Sequence, residues 1–119
     1  MIQFSGGMNN LVYIRDNKLQ EVKGDRFSVC ALSGIWGPYT MNEFECRKGD
    51  VYYLFSDGYQ DQFGGDFNKK FLRQHFYLTL LEIHKFPMIK QKEILAKKLD
   101  EWKKNSPQTD DITIMGIRL

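Results

Sequence analysis

An unbroken apolar and aromatic run, Val51–Phe55, constrains the fold of this chain more than any other part of the sequence. A Gly-Asp pair precedes the run and a Ser-Asp-Gly turn follows it. Such a run between turn signals is typical of a short strand buried on both faces, so it predicts the centre of a sheet. A carboxylate at the rigid end of a buried strand, beside solvent, can hold a metal ion or a catalytic water. Asp57 is therefore the first functional candidate.

Composition and charge exclude several classes of protein. The 119 residues suit one domain, 1–119, with a single core. A formal net charge of +2 does not indicate a polyanionic partner, so we expect no nucleic-acid binding. No apolar run approaches the roughly 20 residues that cross a bilayer, so we expect no membrane contact by this segment. Cys30 and Cys46 lack metal-site spacing, which predicts reduced thiols in the cytoplasm.

Local patterns predict two antiparallel hairpins. Met1–Ser5 reads as the middle of a strand, with no cap before it. Leu11–Ile14 and Leu19–Val22 flank a polar turn and form the first predicted hairpin. Met41–Cys46 alternates apolar and polar residues, and we expect it to pair with Val51–Phe55 as the second hairpin. Residues 23–39 lack periodicity and contain three glycines and a proline, so they predict a long irregular loop.

Two amphipathic helices follow the buried strand. Apolar residues recur at helical spacing in the first helix, at Leu72, Phe76 and Leu80, and Asn68 is its expected cap. Pro87 separates this helix from the next. The second helix places apolar residues on one face, namely Ile94, Leu95, Leu99 and Trp102. Its lysines alternate with acidic residues, which favours a solvated surface. The fold class is therefore α+β, with antiparallel sheets and two flanking helices.

Acidic pairs lie at the ends of two apolar strands. Asp57 and Asp61 follow the buried run, and Asp110 and Asp111 precede the last apolar segment. If those strands are antiparallel neighbours, both pairs lie at one edge of the sheet. Carboxylate oxygens there suit magnesium or manganese, which retain waters that can act as nucleophiles. Aspartate also favours turns and caps without any ligand, and that alternative stays open.

Three segments resemble one family, the metal-dependent serine/threonine protein phosphatases of the PPM class, specifically the bacterial SpoIIE-like branch that regulates sigma-factor partner switching. The segments read GDVYYLFSDGYQD, QTDDITIMGIRL and, more weakly, FSGGMNNLVYIRD. The resemblance implies an antiparallel β-sandwich flanked by helices, with metals at one end between the sheets. It also implies two Mn²⁺ or Mg²⁺ ions in the complete domain, and direct attack of a metal-activated water on a phosphorylated serine or threonine of a protein.

The resemblance assigns roles to particular residues. The aspartates of the SDG and DDIT elements, here Asp57 and Asp110, correspond to metal ligands of the family. The positions that match supporting roles, in shaping the turn or in hydrogen bonding around the ligands, are Gly58, Asp61, Asp111 and Thr113. The implied partner is a phosphoprotein substrate such as an anti-sigma-factor antagonist.

One family element has no counterpart. No D-x-[ST]-G occurs in the sequence, although such an element supplies metal-bridging aspartates in the family. We therefore expect the chain to be the C-terminal part of a phosphatase domain from a longer parent, with weak metal binding and little activity alone. The alternative is a non-catalytic module that binds a partner or transmits a signal on a truncated phosphatase scaffold. An exposed sheet edge in such a fragment can pair with a second copy, and whether it causes dimerisation stays open.

Overall fold

The computed structural model describes residues 1–29 and 38–119 of the chain. These form two compact units, Met1–Phe55 with Met115–Leu119, and Ser56–Ile114. The elements are β1 (Ile2–Phe4), β2 (Leu11–Arg15), β3 (Lys18–Val22), β4 (Asn42–Phe44), β5 (Val51–Phe55), α1 (Gly58–Asp61), β6 (Phe63–Gly64), β7 (Lys69–Lys70), α2 (Arg73–Ile83), α3 (Met88–Lys103) and β8 (Ile114–Arg118). The α+β class with antiparallel sheets is confirmed. Part of the predicted loop 23–39, including Cys30, lies outside the described residues, whereas Cys46 is a free, exposed thiol.

The first unit is built on a four-stranded sheet in the order β3-β2-β5-β8. The predicted β2–β3 hairpin is confirmed, and its turn residues Asp16 and Asn17 have φ values of 51° and 61°. Asparagine and aspartate tolerate this left-handed backbone better than most residues, which suits the tight turn. Strand β5 is interior, as predicted, with β2 on one side and β8 on the other. The Leu119 amide donates to the Asp50 carbonyl at 3.0 Å, so the end of β8 meets the start of β5.

The predicted pairing of Met41–Cys46 with β5 is wrong. Strand β4 instead pairs antiparallel with β1, with Ile2 opposite Phe44, in a separate two-stranded sheet. Strand β5 has no edge left for β4, because β2 and β8 occupy both of its sides. Burial of β5 is also less complete than predicted, since Val51, Tyr52 and Tyr53 are buried but Leu54 is 40% exposed.

An acidic residue, Asp50, is buried at the start of β5 and is only 2% exposed. Arg15 donates to it from Nε at 2.9 Å and from Nη2 at 2.6 Å. The Tyr52 hydroxyl donates at 2.7 Å and the Arg47 amide at 2.8 Å. The hydrogen bonds from Arg15 hold the pKa of Asp50 well below its usual range, while burial raises the pKa of Tyr52 to about 12. Asp50 is therefore an ionised structural residue.

The second unit packs α1, α2 and α3 around aromatic and aliphatic side chains. Its buried apolar residues are Tyr59, Phe76, Leu80, Ile83 and Leu95. The Tyr59 hydroxyl donates to the Leu95 carbonyl at 2.9 Å, and burial raises the pKa of this phenol far above its usual value. None of the helices in residues 1–29 and 38–119 has both the length and the hydropathy to span a bilayer.

The start of α2 differs from the prediction. Asn68 does not cap the helix, because it lies in the turn between β6 and β7 with a φ of 49°. The helix begins at Arg73, and Leu72 precedes it without a side-chain capping hydrogen bond. Leu72 is 51% exposed, so the apolar face of α2 is carried by Phe76, Leu80 and Ile83 rather than by Leu72.

Candidate functional site

Asp57 stands at the end of the strand-to-helix turn that follows β5. It precedes α1, a single helical turn, and its carbonyl accepts a hydrogen bond from the Asp61 amide at 3.0 Å. Its carboxylate makes no capping hydrogen bond and is exposed to solvent. The backbone of Asp57 is thus fixed while its side chain is left available for a ligand.

Ser56 joins this turn to the segment that contains the second acidic pair. Its amide donates to the Thr113 carbonyl at 3.0 Å. Its hydroxyl donates to the Asp111 carbonyl and accepts from the Thr113 amide, each at 3.0 Å. We call these three hydrogen bonds the Ser56 clamp. The clamp places the segment that carries Asp57 directly against the segment that carries Asp110.

Gly58 permits an unusually close backbone approach at the same place. A Cβ atom at this position would lie 2.2 Å from the Asp111 carbonyl oxygen and 2.8 Å from the Ile112 side chain. Real carbon and oxygen atoms do not approach this closely, and the nearest neighbour is backbone that cannot rotate away. A glycine is therefore required here for steric reasons, because the Asp111 segment packs directly against its Cα.

The remaining predicted residues differ in their surroundings. Asp110 is exposed, and its Oδ1 accepts from the Asp111 amide at 2.8 Å. Thr113 takes part in the clamp through its backbone. The carboxylate of Asp61 lies 3.4 Å from Lys70 Nζ, so a cation already offsets its charge. In the described ranges, no lysine, arginine or histidine forms such an ion pair with Asp57, Asp110 or Asp111.

These residues suit part of a site for a hard divalent cation. The donors are exposed carboxylates without cationic neighbours, and Mg²⁺ and Mn²⁺ prefer oxygen ligands. Across residues 1–29 and 38–119, no three or more His, Cys, Asp or Glu side chains are grouped so that they could hold a metal ion by themselves. The buried acceptor atom Gln60 Oε1, three residues after Asp57 in sequence, has no hydrogen-bond partner among the described residues. The donor set therefore fits a share of a metal site and not a complete one.

Comparison with known proteins identifies the family. The model of the family described as Stage II sporulation protein E (SpoIIE) matches residues 3–119. The chain belongs to the SpoIIE family. No curated protein matches this SpoIIE-family chain significantly.

Solved structures show the same fold. The SiaA-PP2C domain of Pseudomonas aeruginosa is 31% identical, with a TM-score of 0.89 over 98% of this chain and 46% of that domain. The phosphatase domain of the cell fate determinant SpoIIE from Bacillus subtilis is 12% identical, with a TM-score of 0.58 over 94% of this chain and 48% of that one. A second crystal form of that domain, without domain swapping, is 14% identical, with a TM-score of 0.55 over 92% of this chain and 46% of that one. The SpoIIE-family chain thus spans about half the length of the solved domains that it matches.

Sequence reasoning missed two residues that hydrogen-bond to the segments of the candidate site, Ser56 and Gln60. Ser56 lies within the SDG motif, and the signal for its contacts is that a hydroxyl at the end of a buried strand can hydrogen-bond to a neighbouring chain segment. Gln60 gave a weaker signal, its spacing of one helical turn from Asp57. The partners of Ser56 come from residues far along the chain, so only the fold reveals them.

Proposed function

We propose that this chain supplies part of a metal-dependent phosphoprotein phosphatase, with Asp57 and Asp110 as ligands for Mn²⁺ or Mg²⁺. The observation that carries the proposal is the Ser56 clamp in a SpoIIE-family chain. It holds together two acidic segments that lie far apart in the sequence. In the described part of the chain neither Asp57 nor Asp110 forms an ion pair with a basic side chain, unlike Asp50, so both carboxylates keep their charge for a cation from solution.

In this proposal each residue of the site has a separate task. Bound cations would lower the pKa of a water and neutralise phosphoryl oxygens. Asp57 and Asp110 hold the cations, while Ser56 and Gly58 fix the distance between the two segments that carry them. Asp111 adds negative charge beside Asp110, and Asp61, neutralised by Lys70, supports the turn.

The family membership supports a phosphoserine or phosphothreonine protein as the substrate. We propose an anti-sigma-factor antagonist as the substrate class and sigma-factor regulation in a bacterial cytoplasm as the setting. Dimerisation through an exposed sheet edge belongs to the same proposal, since β3 and β8 are the outer strands of the four-stranded sheet.

The test is the affinity of the chain for Mn²⁺, measured from free Mn²⁺ by electron paramagnetic resonance. We expect weak binding, above micromolar dissociation constants, because the chain supplies only part of the ligand set. Asp57→Asn and Asp110→Asn should each weaken binding by at least about tenfold. Asp100→Asn, an exposed acid on α3, is the control and should change nothing. Equal affinity in all four proteins would contradict the proposal.

The alternative is a non-catalytic module that binds a protein partner. The observation in its favour is that the chain spans about half of the solved domains and lacks a D-x-[ST]-G element. A folded chain whose amide shifts do not respond to Mn²⁺, yet which binds a protein partner, would support this module. Robust hydrolysis of a phosphoserine protein by the chain with Mn²⁺ would contradict it, and would also show that no further ligands are needed.

A further inference from the structure

The most exposed large apolar side chain of the second unit lies at the tip of the β6–β7 hairpin. Phe67 is 83% exposed, and the next, Ile89, is 66% exposed. Apolar side chains are often exposed singly, so exposure alone carries no inference. Phe67 is distinguished by how its neighbours in the chain are held and by the charges around it.

Both neighbours of Phe67 are fastened to the chain just after α3. Asp66 Oδ1 accepts a hydrogen bond from Lys104 Nζ at 2.8 Å, and Asn68 Oδ1 accepts one from the Ser106 hydroxyl at 3.1 Å. These contacts hold the turn on either side of Phe67, while its ring faces solvent. An aromatic side chain on a fixed backbone has few torsions to immobilise when a partner binds, which favours affinity.

Basic side chains lie around this ring. Lys69 Nζ is 6.0 Å from the centre of the Phe67 ring, and in the described part of the chain Lys69 forms no ion pair with an acidic side chain. From β6 to the start of α2 the chain contains two more bases, Lys70 and Arg73, and a single acid, Asp66, whose charge is already paired. The hairpin therefore suits a partner that combines acidic and apolar side chains.

The hairpin is bonded to the turn that carries the candidate site. Lys70 Nζ lies 3.4 Å from Asp61 Oδ1 on α1, and the Leu72 amide donates to the Gln60 carbonyl at 2.8 Å. The chain from Asp61 to Phe67 spans at most about 20 Å when fully extended. An ordinary protein interface covers about 800 Å² on each partner, so one bound protein can contact both the site and the hairpin tip.

We propose, resting on the proposed function, that Phe67 and Lys69 form a docking surface for the phosphoprotein substrate. They contact a segment that flanks the phosphorylated residue of that protein. An apolar side chain of the segment packs on the Phe67 ring, and a carboxylate pairs with Lys69. Aromatic side chains are frequent among the few residues that dominate binding energy, so the hairpin selects the substrate without taking part in hydrolysis.

The experiment measures phosphopeptide binding to the 119-residue chain in EDTA, so that no metal ion takes part. The probe is a short peptide with a central phosphoserine flanked by glutamates and leucines, and amide shifts of the ¹⁵N-labelled chain give its dissociation constant. We expect the signals of residues 63–70 to shift. Phe67→Ala and Lys69→Glu should each weaken binding by about tenfold. Both side chains are exposed, so neither substitution should change the thermal midpoint.

Two exposed residues away from the hairpin supply matched controls. Phe86 is 44% exposed beyond the end of α2, and Lys92 is an exposed lysine on α3. Phe86→Ala and Lys92→Glu should leave phosphopeptide affinity unchanged. Equal weakening in these controls and in the hairpin variants would indicate unspecific attraction, and the inference would be overturned.

Other outcomes separate this inference from the proposed function. The docking surface is refuted if the unchanged chain does not bind the phosphopeptide, or if both hairpin variants bind it as tightly as the unchanged chain does. It is also refuted if the same signals shift with chain concentration alone, because a second copy would then cover the tip. If Asp57→Asn leaves Mn²⁺ affinity unchanged while Phe67→Ala weakens phosphopeptide binding, the proposed function fails and the docking surface stands.

Discussion

Asp50 and Asp57 flank the same strand, β5, and yet their surroundings are opposite. Asp50 is buried, and Arg15, Arg47 and Tyr52 donate hydrogen bonds to its carboxylate. Asp57 is exposed, and in the described residues its carboxylate accepts a side-chain hydrogen bond only from Gln60 Nε2, at 3.5 Å. Both aspartates adjoin a glycine in the sequence, so composition alone does not separate them.

The difference shows how a fold distinguishes a structural carboxylate from one that is available to a ligand. A buried carboxylate must have its charge offset by the protein, since burial of an unpaired charge is costly. An exposed carboxylate on a rigid turn keeps its lone pairs for a cation from solution. We therefore propose that Asp50 contributes to stability and that Asp57 binds a metal ion, and the two roles can be tested separately.

Asp50→Asn should cause the largest loss of stability. The substitution removes the charge that Arg15 pairs with and weakens the hydrogen bonds from Arg47 and Tyr52. We expect a loss of about 3 kcal/mol in the free energy of unfolding, measured by urea denaturation. Asp57→Asn is the matched control and should change stability little. Equal losses of unfolding free energy in the two variants would contradict a special structural role for Asp50.

The contact between Asp50 and Arg15 also predicts how the stability of the fold depends on pH. The pKa of Asp50 lies below its ordinary value of 3.8, chiefly because Arg15 hydrogen-bonds to the ionised form. The folded state therefore binds this proton less tightly than the unfolded chain. The resulting stabilisation is complete above about pH 5 and is lost as the pH falls through 3.8 toward the lowered folded value. Below about pH 4, stability should fall more steeply in the unchanged chain than in Asp50→Asn. If the urea midpoints of the unchanged chain and of Asp50→Asn fell in parallel as the pH was lowered, this prediction would be wrong.

Gly58→Ala should have the next largest effect. The added Cβ would lie 2.2 Å from the Asp111 carbonyl oxygen, so the two segments must separate. We expect a loss of about 2 kcal/mol in stability, with amide shift changes at Asp111 and Thr113. Gly49→Ala provides the control, because Gly49 has a φ of 93° and no neighbour within 4 Å of its Cβ position. It should cost about 1 kcal/mol through backbone strain and leave the Asp111 amide unchanged.

Ser56→Ala should have the smallest effect on stability. It removes two of the three clamp hydrogen bonds and leaves the one made by the Ser56 backbone. We expect a loss of about 1 kcal/mol by urea denaturation, together with weaker Mn²⁺ binding. Ser106→Ala, which removes a hydroxyl contact to Asn68, should leave Mn²⁺ binding unchanged. Unaltered Mn²⁺ affinity in Ser56→Ala would show that the clamp does not position the ligands.

Much of the fold follows from local sequence. The Val51–Phe55 run predicted an interior strand, and the polar turn at Asp16 and Asn17 predicted the β2–β3 hairpin. Helices α2 and α3 followed from apolar spacing and from Pro87 between them. The partner of β4 could not be predicted, because alternation indicates a strand but does not show which edges of β5 are already occupied.

The sequence motifs point to the candidate ligands of the site. They do not show the hydrogen bonds that hold the two segments together. Asp57 and Asp110 were identified by two motifs, and their role as ligands stays a prediction. The Ser56 clamp depends on β8 lying beside β5, which no local pattern determines. The burial of Asp50 was missed because Gly-Asp reads as a turn, and its partner Arg15 lies on another strand.

The central claim is that one divalent ion contacts both acidic segments. The most direct test is Mn²⁺ titration of the ¹⁵N-labelled chain, followed through paramagnetic broadening of each amide signal. We predict that signals of residues 56–61 and 110–113 broaden together at the same Mn²⁺ concentration, before the exposed acids of α3. Broadening of one segment without the other, or uniform broadening at all exposed acids, would contradict the claim.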